Sequence, residues 1–240
     1  MGAEALYSAL SGAVARERAL EVVSNNLANS STSGYMAQRS TFAEVLAESV
    51  NDEAVVGGSQ VSIGESRLDT RVGPLHQTDR ALDAALPEGG FFVVSTPSGE
   101  RFTRAGSFQV APDGLLVNAS GLPVLGRAGP IHLEGGGLVK IEPSGAVSVD
   151  GSTVDTLRIV TFERPSALIP EGESLHRAPD ALTPLESEQP VASGALVGSN
   201  ANPIRAMTEL VAVSRAFEIY NRAIETVSAV DQTAINKIIG

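Results

Sequence analysis

The first part of the chain has apolar residues at helical spacing. Between Ala3 and about Leu27 they fall three, four or seven positions apart, with charged residues between them. This spacing predicts an amphipathic α-helix. The run from Asn25 to Asn29 predicts its end, because Asn tolerates the left-handed backbone of a helix C-cap and the segment 30–34 that follows has poor helix propensity. The apolar positions include Leu6, Leu10, Leu20, Val23 and Leu27.

The same spacing returns at Pro203 and continues to the end of the chain. Its apolar positions include Met207, Leu210, Phe217 and Ile224. Pro203 suits the first turn of a helix, where the backbone N–H has no intrahelical partner in any case. At 1.5 Å per residue, a helix from here to the chain end would be roughly 55 Å long. Since a small domain needs less, the pattern predicts contacts with other molecules along this helix.

Between the two helical patterns, short apolar runs alternate with turn residues. The run Phe91–Val94 leads into a Pro-Ser-Gly turn, and the run 108–110 leads into a Pro-Asp-Gly turn. Weaker copies of this arrangement follow at 139–149 and 146–160. Repeated hairpin signals of this kind predict an antiparallel β domain.

The remaining segments carry weaker signals. Residues Thr41 to Glu48 predict a short helix, and 51–64 predict a loop or a ragged hairpin centred on Gly57 and Gly58. Residues 165–190 contain five prolines and predict a surface loop. We therefore expect an α+β protein in four parts: a terminal helical assembly domain (1–35 and 200–240), an extended connector (36–78), a central β-rich domain (79–165) and a second connector (166–199).

The charge of the chain argues against a nucleic-acid partner. The chain has 17 basic and 28 acidic residues, a formal net charge of −11. Nearly all the excess acid lies in the middle of the chain, whereas both ends are close to neutral. Binding to phosphates needs clustered Lys and Arg, so we expect no nucleic-acid partner. Near-neutral helices, by contrast, can pack side by side without mutual repulsion.

Other local patterns bear on localisation. No stretch approaches the roughly 20 mainly apolar residues of a membrane span, so we expect no membrane insertion. The first 15 residues have no basic leader and contain Glu4. We therefore expect export from the cytoplasm, if it occurs, without a cleavable signal peptide.

Candidate catalytic and metal-binding residues are few. The chain has no Cys. His76, His132 and His176 lie far apart, without the spacing of metal ligands. Asp79 and Asp83 could form a catalytic carboxylate pair, but solvated or turn-stabilising roles are commoner for such residues. We therefore expect no catalytic residue, metal site, cofactor or small-molecule substrate.

Three blocks of sequence resemble the flagellar rod and hook proteins. They are 24–29 with 32–35, which includes Asn25, Asn26, Leu27 and Asn29; 82–115, which includes Asp83; and 194–203. The chain is short and lacks a large outer insertion, which favours a rod subunit over a hook subunit. Segments 157–162 and 173–177 look most like the proximal-rod subfamily, with the distal-rod subfamily as the close alternative.

The resemblance implies a structural subunit without catalysis. In such proteins the terminal helices pair as an inner, coiled-coil-like layer, and the β-rich middle forms an outer layer. The subunits stack helically into the drive shaft that crosses the periplasm and transmits torque. The implied partners are neighbouring axial subunits and the flagellar type III export apparatus. The expected assembly interface is Leu6, Leu10, Leu20, Val23, Asn25, Asn26, Leu27, Asn29, Met207, Leu210, Phe217 and Ile224.

Two other classes of protein stay open at this point. A rod crosses the cell wall, so a periplasmic enzyme that acts on the wall is a distant alternative; a muralytic assay on the purified chain would separate the classes. The second alternative is a β-rich adhesin or a tail component. It can be distinguished because it would not need both terminal helices to polymerise.

Overall fold

The computed structural model describes residues 2–46, 59–134 and 137–239. The chain divides into two compact units. The first unit comprises Met1–Ala28, Gln38–Arg67 and Asn202–Gly240, and the second comprises Asn29–Ala37 and Leu68–Ala201. The chain therefore passes from the first unit to the second and back more than once.

Two long helices belong to the first unit. Helix α1 spans Gly2–Ala28 and helix α2 spans Pro203–Ile239, so both predicted helices are confirmed. At the start of α2 the Asn202 side chain acts as the N-cap, since its Oδ1 accepts a hydrogen bond of 3.0 Å from the backbone N–H of Arg205. Within the described residues, neither helix contains a stretch apolar enough to span a membrane.

The two helices pack against each other in antiparallel directions. They are in contact, with Gly12 of α1 beside the ring of Tyr220 of α2. Gly34, shortly after α1, donates its backbone N–H to the carbonyl oxygen of Val197, shortly before α2, at 2.7 Å. Because the chain segments that adjoin α1 and α2 are joined there, the end of α1 and the start of α2 lie at the same end of the helix pair.

The first unit also contains a two-stranded sheet. Strand β1 spans Gln38–Leu46 and pairs with β2, Ser59–Leu68. The predicted helix 41–48 is therefore wrong over its described part, because a helix of eight residues is marginal in isolation and pairing with a second strand satisfies the backbone instead. The predicted turn at Gly57 and Gly58 lies outside the described residues.

The second unit is built from short strands, and its strand pairings are antiparallel. The expected α+β class is thus confirmed. The strands are β3 Leu75–Gln77, β4 Ala84–Ala85, β5 Phe91–Thr96, β6 Gly99–Thr103, β7 Phe108–Val110, β8 Leu116–Asn118, β9 Val139–Ile141, β10 Ala146–Val149, β11 Ser152–Thr156, β12 Ile159–Thr161, β13 Ile169–Gly172, β14 Leu175–Arg177, β15 Leu185–Glu186, β16 Ala192–Ser193 and β17 Ala195–Val197.

The largest sheet has six strands in the order β13-β14-β6-β5-β12-β15, and a three-stranded sheet has the order β11-β10-β9. The predicted hairpins β5–β6, β7–β8 and β9–β10 are confirmed. After the Asp150-Gly151 turn, however, the returning strand is β11 rather than the segment from Leu157. The pairs β16-β4, β17-β3 and β7-β8 form separate two-stranded sheets.

The segment 165–190 is not a surface loop throughout, as its prolines had suggested. A 3-10 turn at Pro165–Ala167 precedes β13, and β13, β14 and β15 all join the six-stranded sheet. Pro170 lies in β13, which is an edge strand. An edge strand tolerates Pro because one side of its backbone needs no partner strand.

The core of the second unit lies on both faces of β5. Phe92 and Val94 belong to one apolar cluster, and Phe91 and Val93 belong to another. Side chains alternate between the two faces of a strand, so a strand buried on both faces is apolar at every position. On one face the ring of Phe92 lies 5.1 Å from that of Phe108, edge to face.

Candidate functional site

The segments that flank the helices meet within the second unit. Residues 29–37, 68–71 and 197–201 form a compact arrangement that we call the junction. Besides the bond between Gly34 and Val197, the backbone N–H of Asp69 donates to the carbonyl oxygen of Ala37 at 2.7 Å. Parts of the first and third family-like sequence blocks, far apart in the chain, are therefore in direct contact here.

Asn200 holds the junction together through its side chain. Its Oδ1 accepts a hydrogen bond of 2.6 Å from the backbone N–H of Ala37. Its Nδ2 donates to the carbonyl oxygens of Asp69 and Arg71, both at 2.8 Å. One side chain thus satisfies three backbone groups on two other segments of the chain, which fixes the distance between them.

Gly34 has a conformation and surroundings that require glycine. Its φ is +72°, and a Cβ at this position would lie 2.2 Å from the backbone nitrogen of Ala105. The neighbouring Tyr35 is partly buried, and this burial raises the pKa of its phenol to about 12. The phenol therefore stays protonated at neutral pH.

A buried arginine supports the junction from the β domain. Arg104 donates from Nη1 to the carbonyl oxygen of Thr70 at 3.0 Å, and its guanidinium lies 5.0 Å from the centre of the Phe91 ring. Burial lowers the pKa of Arg104 to about 10, although the negative charge of Asp69 opposes this shift. The side chain therefore remains a cation at neutral pH.

Sequence reasoning missed the roles of Asn200 and Arg104. Both lie inside blocks noted for their resemblance, but neither stands out by spacing. An arginine between the apolar Phe102 and Ala105 is the one local signal that could have indicated a buried cation. The partners of Asn200 lie up to 163 residues away, so no local pattern identifies them.

Asp79 and Asp83 do not have the environment of a catalytic pair. Asp83 is fully buried, and its Oδ2 accepts a hydrogen bond of 2.7 Å from Thr78 Oγ1. Asp79 is exposed and has a φ of +57°, which is a turn conformation. Asp83 therefore stabilises the turn at 78–83. Across the described residues, no group of three or more His, Asp or Glu side chains is arranged to hold a metal ion.

The three histidines differ in their surroundings. His76 and His132 are exposed, whereas His176 is buried. The pKa of His176 is lowered to about 4, mainly by burial. The nearby Arg104 acts in the same direction, and the contact with the carbonyl oxygen of Phe102 acts in the opposite direction. His176 is therefore neutral at neutral pH and serves as part of the core.

Small residues line the buried face of α1. Ala15, Ala19 and Val23 are buried there, on the same face as Gly12, where an added Cβ would lie 2.5 Å from Cε1 of Tyr220. Small residues at this spacing allow two helices to approach closely. The ring of Tyr220 on α2 thus packs against small residues of α1.

The predicted assembly residues separate into groups in the structure. Leu10, Asn25 and Met207 are exposed, and Val23 is buried within the chain. Asn26 exchanges two hydrogen bonds with the backbone of Gln38, at 2.8 and 2.9 Å. The side chain of Leu6 lies outside the described part. The half-buried members are Leu20, Asn26, Leu27, Asn29, Leu210, Phe217 and Ile224.

The larger exposed apolar residues lie on the outward faces of both helices. On α1 they are Leu10 and Val14, which are four residues apart. On α2 they are Ile204, Met207, Val211 and Ile219, of which the first three share one helical stripe. The α1 stripe lies opposite the buried face of that helix, and the α2 stripe lies away from Tyr220. Soluble single-chain proteins seldom expose apolar residues in such stripes, so these faces are candidates for contact with other molecules.

Three families of known proteins match parts of the chain. Residues 6–35 match "Flagella basal body rod protein", residues 86–151 match "Flagellar hook protein FlgE/F/G D1 domain", and residues 192–237 match "Flagellar basal body rod FlgEFG protein C-terminal". The matches cover most of both helices and every strand from β5 to β10. They occur along the chain in the order of the three sequence blocks.

Full-length relatives support the same family. The flagellar basal-body rod protein FlgF of Rhizobium meliloti is 33% identical over 89% of this chain and 88% of its own length. FlgF of Salmonella typhimurium is 31% identical over 93% of both chains. The rod protein FlgG of Bacillus subtilis is 30% identical over 96% of this chain and 97% of its own. With this identity over nearly the whole length, the chain belongs to the flagellar basal-body rod protein family and is most similar to its FlgF members.

Proposed function

We propose that this chain is a structural subunit of the flagellar basal-body rod, at the FlgF position of the proximal rod, and that it polymerises through its terminal helices. The observation that carries this proposal is the exposure of apolar side chains on both helices. Ile204 is 76% exposed, Met207 55%, Val211 52% and Leu10 51%. Family membership supports assembly with other axial subunits of the flagellum.

Burial of these side chains would stabilise an assembly. Each Leu, Ile, Val or Met moved from water into a packed interface contributes about 1.5–3 kcal/mol when its burial is complete. The helix pair already uses its small residues for the internal contact, so the outward faces are free to serve neighbouring subunits. Burying them needs no rearrangement of the helix pair.

In the proposed rod, the paired helices form the inner layer in a coiled-coil-like arrangement, and the β domain forms the outer layer. The interface includes the expected residues of the two helices, of which Leu10, Asn25 and Met207 are exposed. The subunit transmits torque as part of the drive shaft across the periplasm. It reaches that site through the flagellar type III export apparatus, and it has no catalytic role.

Electron cryotomography of basal bodies from cells that lack this chain tests the proposal. We expect a rod truncated near its base and loss of motility, because the subunits beyond it would have no foundation. A rod truncated only farther out would instead favour the distal-rod assignment. An intact rod with full motility would refute a structural role in the rod.

A further inference from the structure

Two hairpins of the β domain turn through the same backbone conformation. Asp150 and Gly151 connect β10 to β11 with φ values of +49° and +83°, and Glu173 and Ser174 connect β13 to β14 with φ values of +48° and +58°. A two-residue turn with positive φ at both positions matches the twist of the flanking strands, and it favours pairs such as Asp-Gly. Glu and Ser are poorly suited to this conformation because the Cβ crowds the backbone, so the second turn is the more strained of the two.

The strained turn has a second unfavourable feature. The Oγ of Ser174 is buried and has no hydrogen-bond partner in the part of the chain that the structure describes. A buried hydroxyl of this kind has lost its hydrogen bonds to water without replacing them, which disfavours the folded state. The strain and the unpaired hydroxyl would both be relieved if the hairpin left the sheet.

The hairpin is attached to the rest of the six-stranded sheet over a short stretch. β14 pairs with β6 at Leu175 and His176, whereas β5 pairs with β6 from Gly99 to Thr103. All four residues of the edge strand β13 are exposed, so Leu175 and His176 are the buried side chains that the two strands contribute. Separation of the hairpin would therefore expose few apolar groups and leave most of the sheet paired.

One carboxylate strengthens this attachment. Glu171 of β13 accepts hydrogen bonds from Nε of Arg101 on β6 and from Nε of Arg177 on β14, the latter at 2.8 Å. Arg101 is 8% exposed, and a buried guanidinium that loses its carboxylate partner is strongly unfavourable. Glu171 therefore joins the edge strand directly to β6, across β14, and keeps the hairpin closed.

We propose that the hairpin of residues 169–177 is a local opening unit of the β domain. It detaches from β6 as one piece while β5, β6 and β12 stay paired, and the ion pairs of Glu171 hold it in the closed position. Such units open at a lower free energy than the whole domain unfolds. Opening makes β6 an edge of the sheet, with backbone groups that are free to pair with another strand. This inference goes beyond the proposed function and does not depend on it.

Hydrogen exchange of the full-length chain at neutral pH, followed by mass spectrometry of its peptides, measures this opening. We expect the amides of β14 to exchange at least about tenfold faster than those of β5, because the hairpin opens without the rest of the sheet. Low concentrations of urea should change the β14 rate little, since opening exposes little surface. Exchange of β14 that is as slow as that of β5 overturns the proposal.

Substitutions in the two turns test the role of strain. The double variant Glu173→Asn with Ser174→Gly places preferred residues in the left-handed turn, so it should slow the exchange of β13 and β14 together by about tenfold. Gly151→Ser is the matched control, because an added Cβ there would meet nothing within 4 Å beyond its chain neighbours. It should speed the exchange of β10 and β11 and leave β13 and β14 unchanged.

Two results with these variants would overturn the proposal. If the double variant does not slow exchange, or slows it in β13 alone, the hairpin does not open as one unit. If Gly151→Ser changes the exchange of β13 and β14 as well, opening involves the whole domain.

Glu171→Gln tests the ion pairs. The substitution keeps the size of the side chain but removes the charge shared by Arg101 and Arg177, so exchange of residues 169–177 should rise several-fold with β5 unchanged. An equal rise in β5 would mean that the whole domain opens. An unchanged rate in the hairpin would show that Glu171 does not hold it closed, and either result contradicts the proposal.

Discussion

At the residue scale, a few polar side chains hold segments that are distant in sequence. Asn200 makes three hydrogen bonds to backbone groups of the junction. Buried backbone groups that lose such a partner are costly, because they gave up water in order to fold. The junction therefore depends on the identity of this one residue more than on its size.

Substitution Asn200→Ala should destabilise the chain by about 2–4 kcal/mol, since it leaves one N–H and two carbonyl groups without their partner. Asn200→Asp is almost the same size, but it places a carboxylate against the carbonyl oxygens of Asp69 and Arg71. We expect Asn200→Asp to be at least as destabilising in urea unfolding. A variant that behaved like the natural chain would show that water replaces the side chain at no cost.

His176 should make stability depend on pH. Burial holds its pKa near 4 in the folded chain, below its ordinary value of about 6.5 in an unfolded chain. Between these two values the unfolded chain binds more protons, so stability falls as pH decreases from about 6.5 towards 4. The total loss of folding free energy from this group, reached below pH 4, is about 3 kcal/mol.

Urea unfolding at a series of pH values measures this effect. His176→Phe should lose the part of the pH dependence that lies between about 4 and 6.5, whereas His132→Gln, at an exposed position, should keep it. Because carboxylates also titrate at the acidic end, the quantity to compare is the difference between each variant and the natural chain. Parallel curves for His176→Phe and the natural chain would contradict the assignment.

At the element scale, the contact between α1 and α2 depends on small residues. Glycine inside a helix is unfavourable by roughly 1 kcal/mol relative to alanine, and Gly12 is retained here beside the Tyr220 ring. Any larger residue at position 12 would overlap the Tyr220 ring, which explains why glycine is present despite its poor helix propensity. The same reasoning explains why Ala15 and Ala19 face the interior while larger apolar residues face outwards.

Gly12→Val should separate the helices, because its side chain would overlap the Tyr220 ring. We expect a loss of about 1–3 kcal/mol, as for other substitutions that overfill a packed site. Combining Gly12→Val with Tyr220→Ala should recover part of this loss. Ser24→Val adds a similar side chain on the exposed face of α1 and serves as the control; an equal loss there would mean that helix propensity, not packing, is responsible. Thermal unfolding followed by circular dichroism measures all four chains.

At the scale of the whole molecule, two classes of apolar helix residue have different tasks. Half-buried residues such as Phe217 lie on the side of α2 that carries Tyr220, whereas exposed residues such as Met207 point away from Tyr220. Assembly can therefore be disturbed either directly, at an outward residue, or indirectly, through the helix pair.

Met207→Glu should abolish incorporation into the rod while the purified chain keeps its helix content. Phe217→Glu should also abolish incorporation with the β domain still folded, but it should lower the helix content of the free chain, because the new charge lies beside the α1–α2 contact. Fractionation of basal bodies measures incorporation. Normal incorporation of Met207→Glu would contradict an interface on this face.

Local signals in the order of amino acids were enough to predict several elements. Helical spacing placed α1 and α2 within a residue or two of their observed ends, and turn residues located the hairpins β5–β6 and β7–β8. The family-like blocks also followed from the order of residues alone. These features could be predicted because each depends on neighbours within one turn or one hairpin.

Contacts between segments that are distant in the chain depend on the folded structure as a whole. The prolines of 165–190 suggested a loop, yet β13, β14 and β15 gain their hydrogen bonds from the six-stranded sheet. The role of Asn200 depends on partners that lie 129 to 163 residues away in the chain. A helical spacing shows that apolar residues are present on a helix, but packing against a second helix decides which of them are covered and which are left for neighbouring molecules.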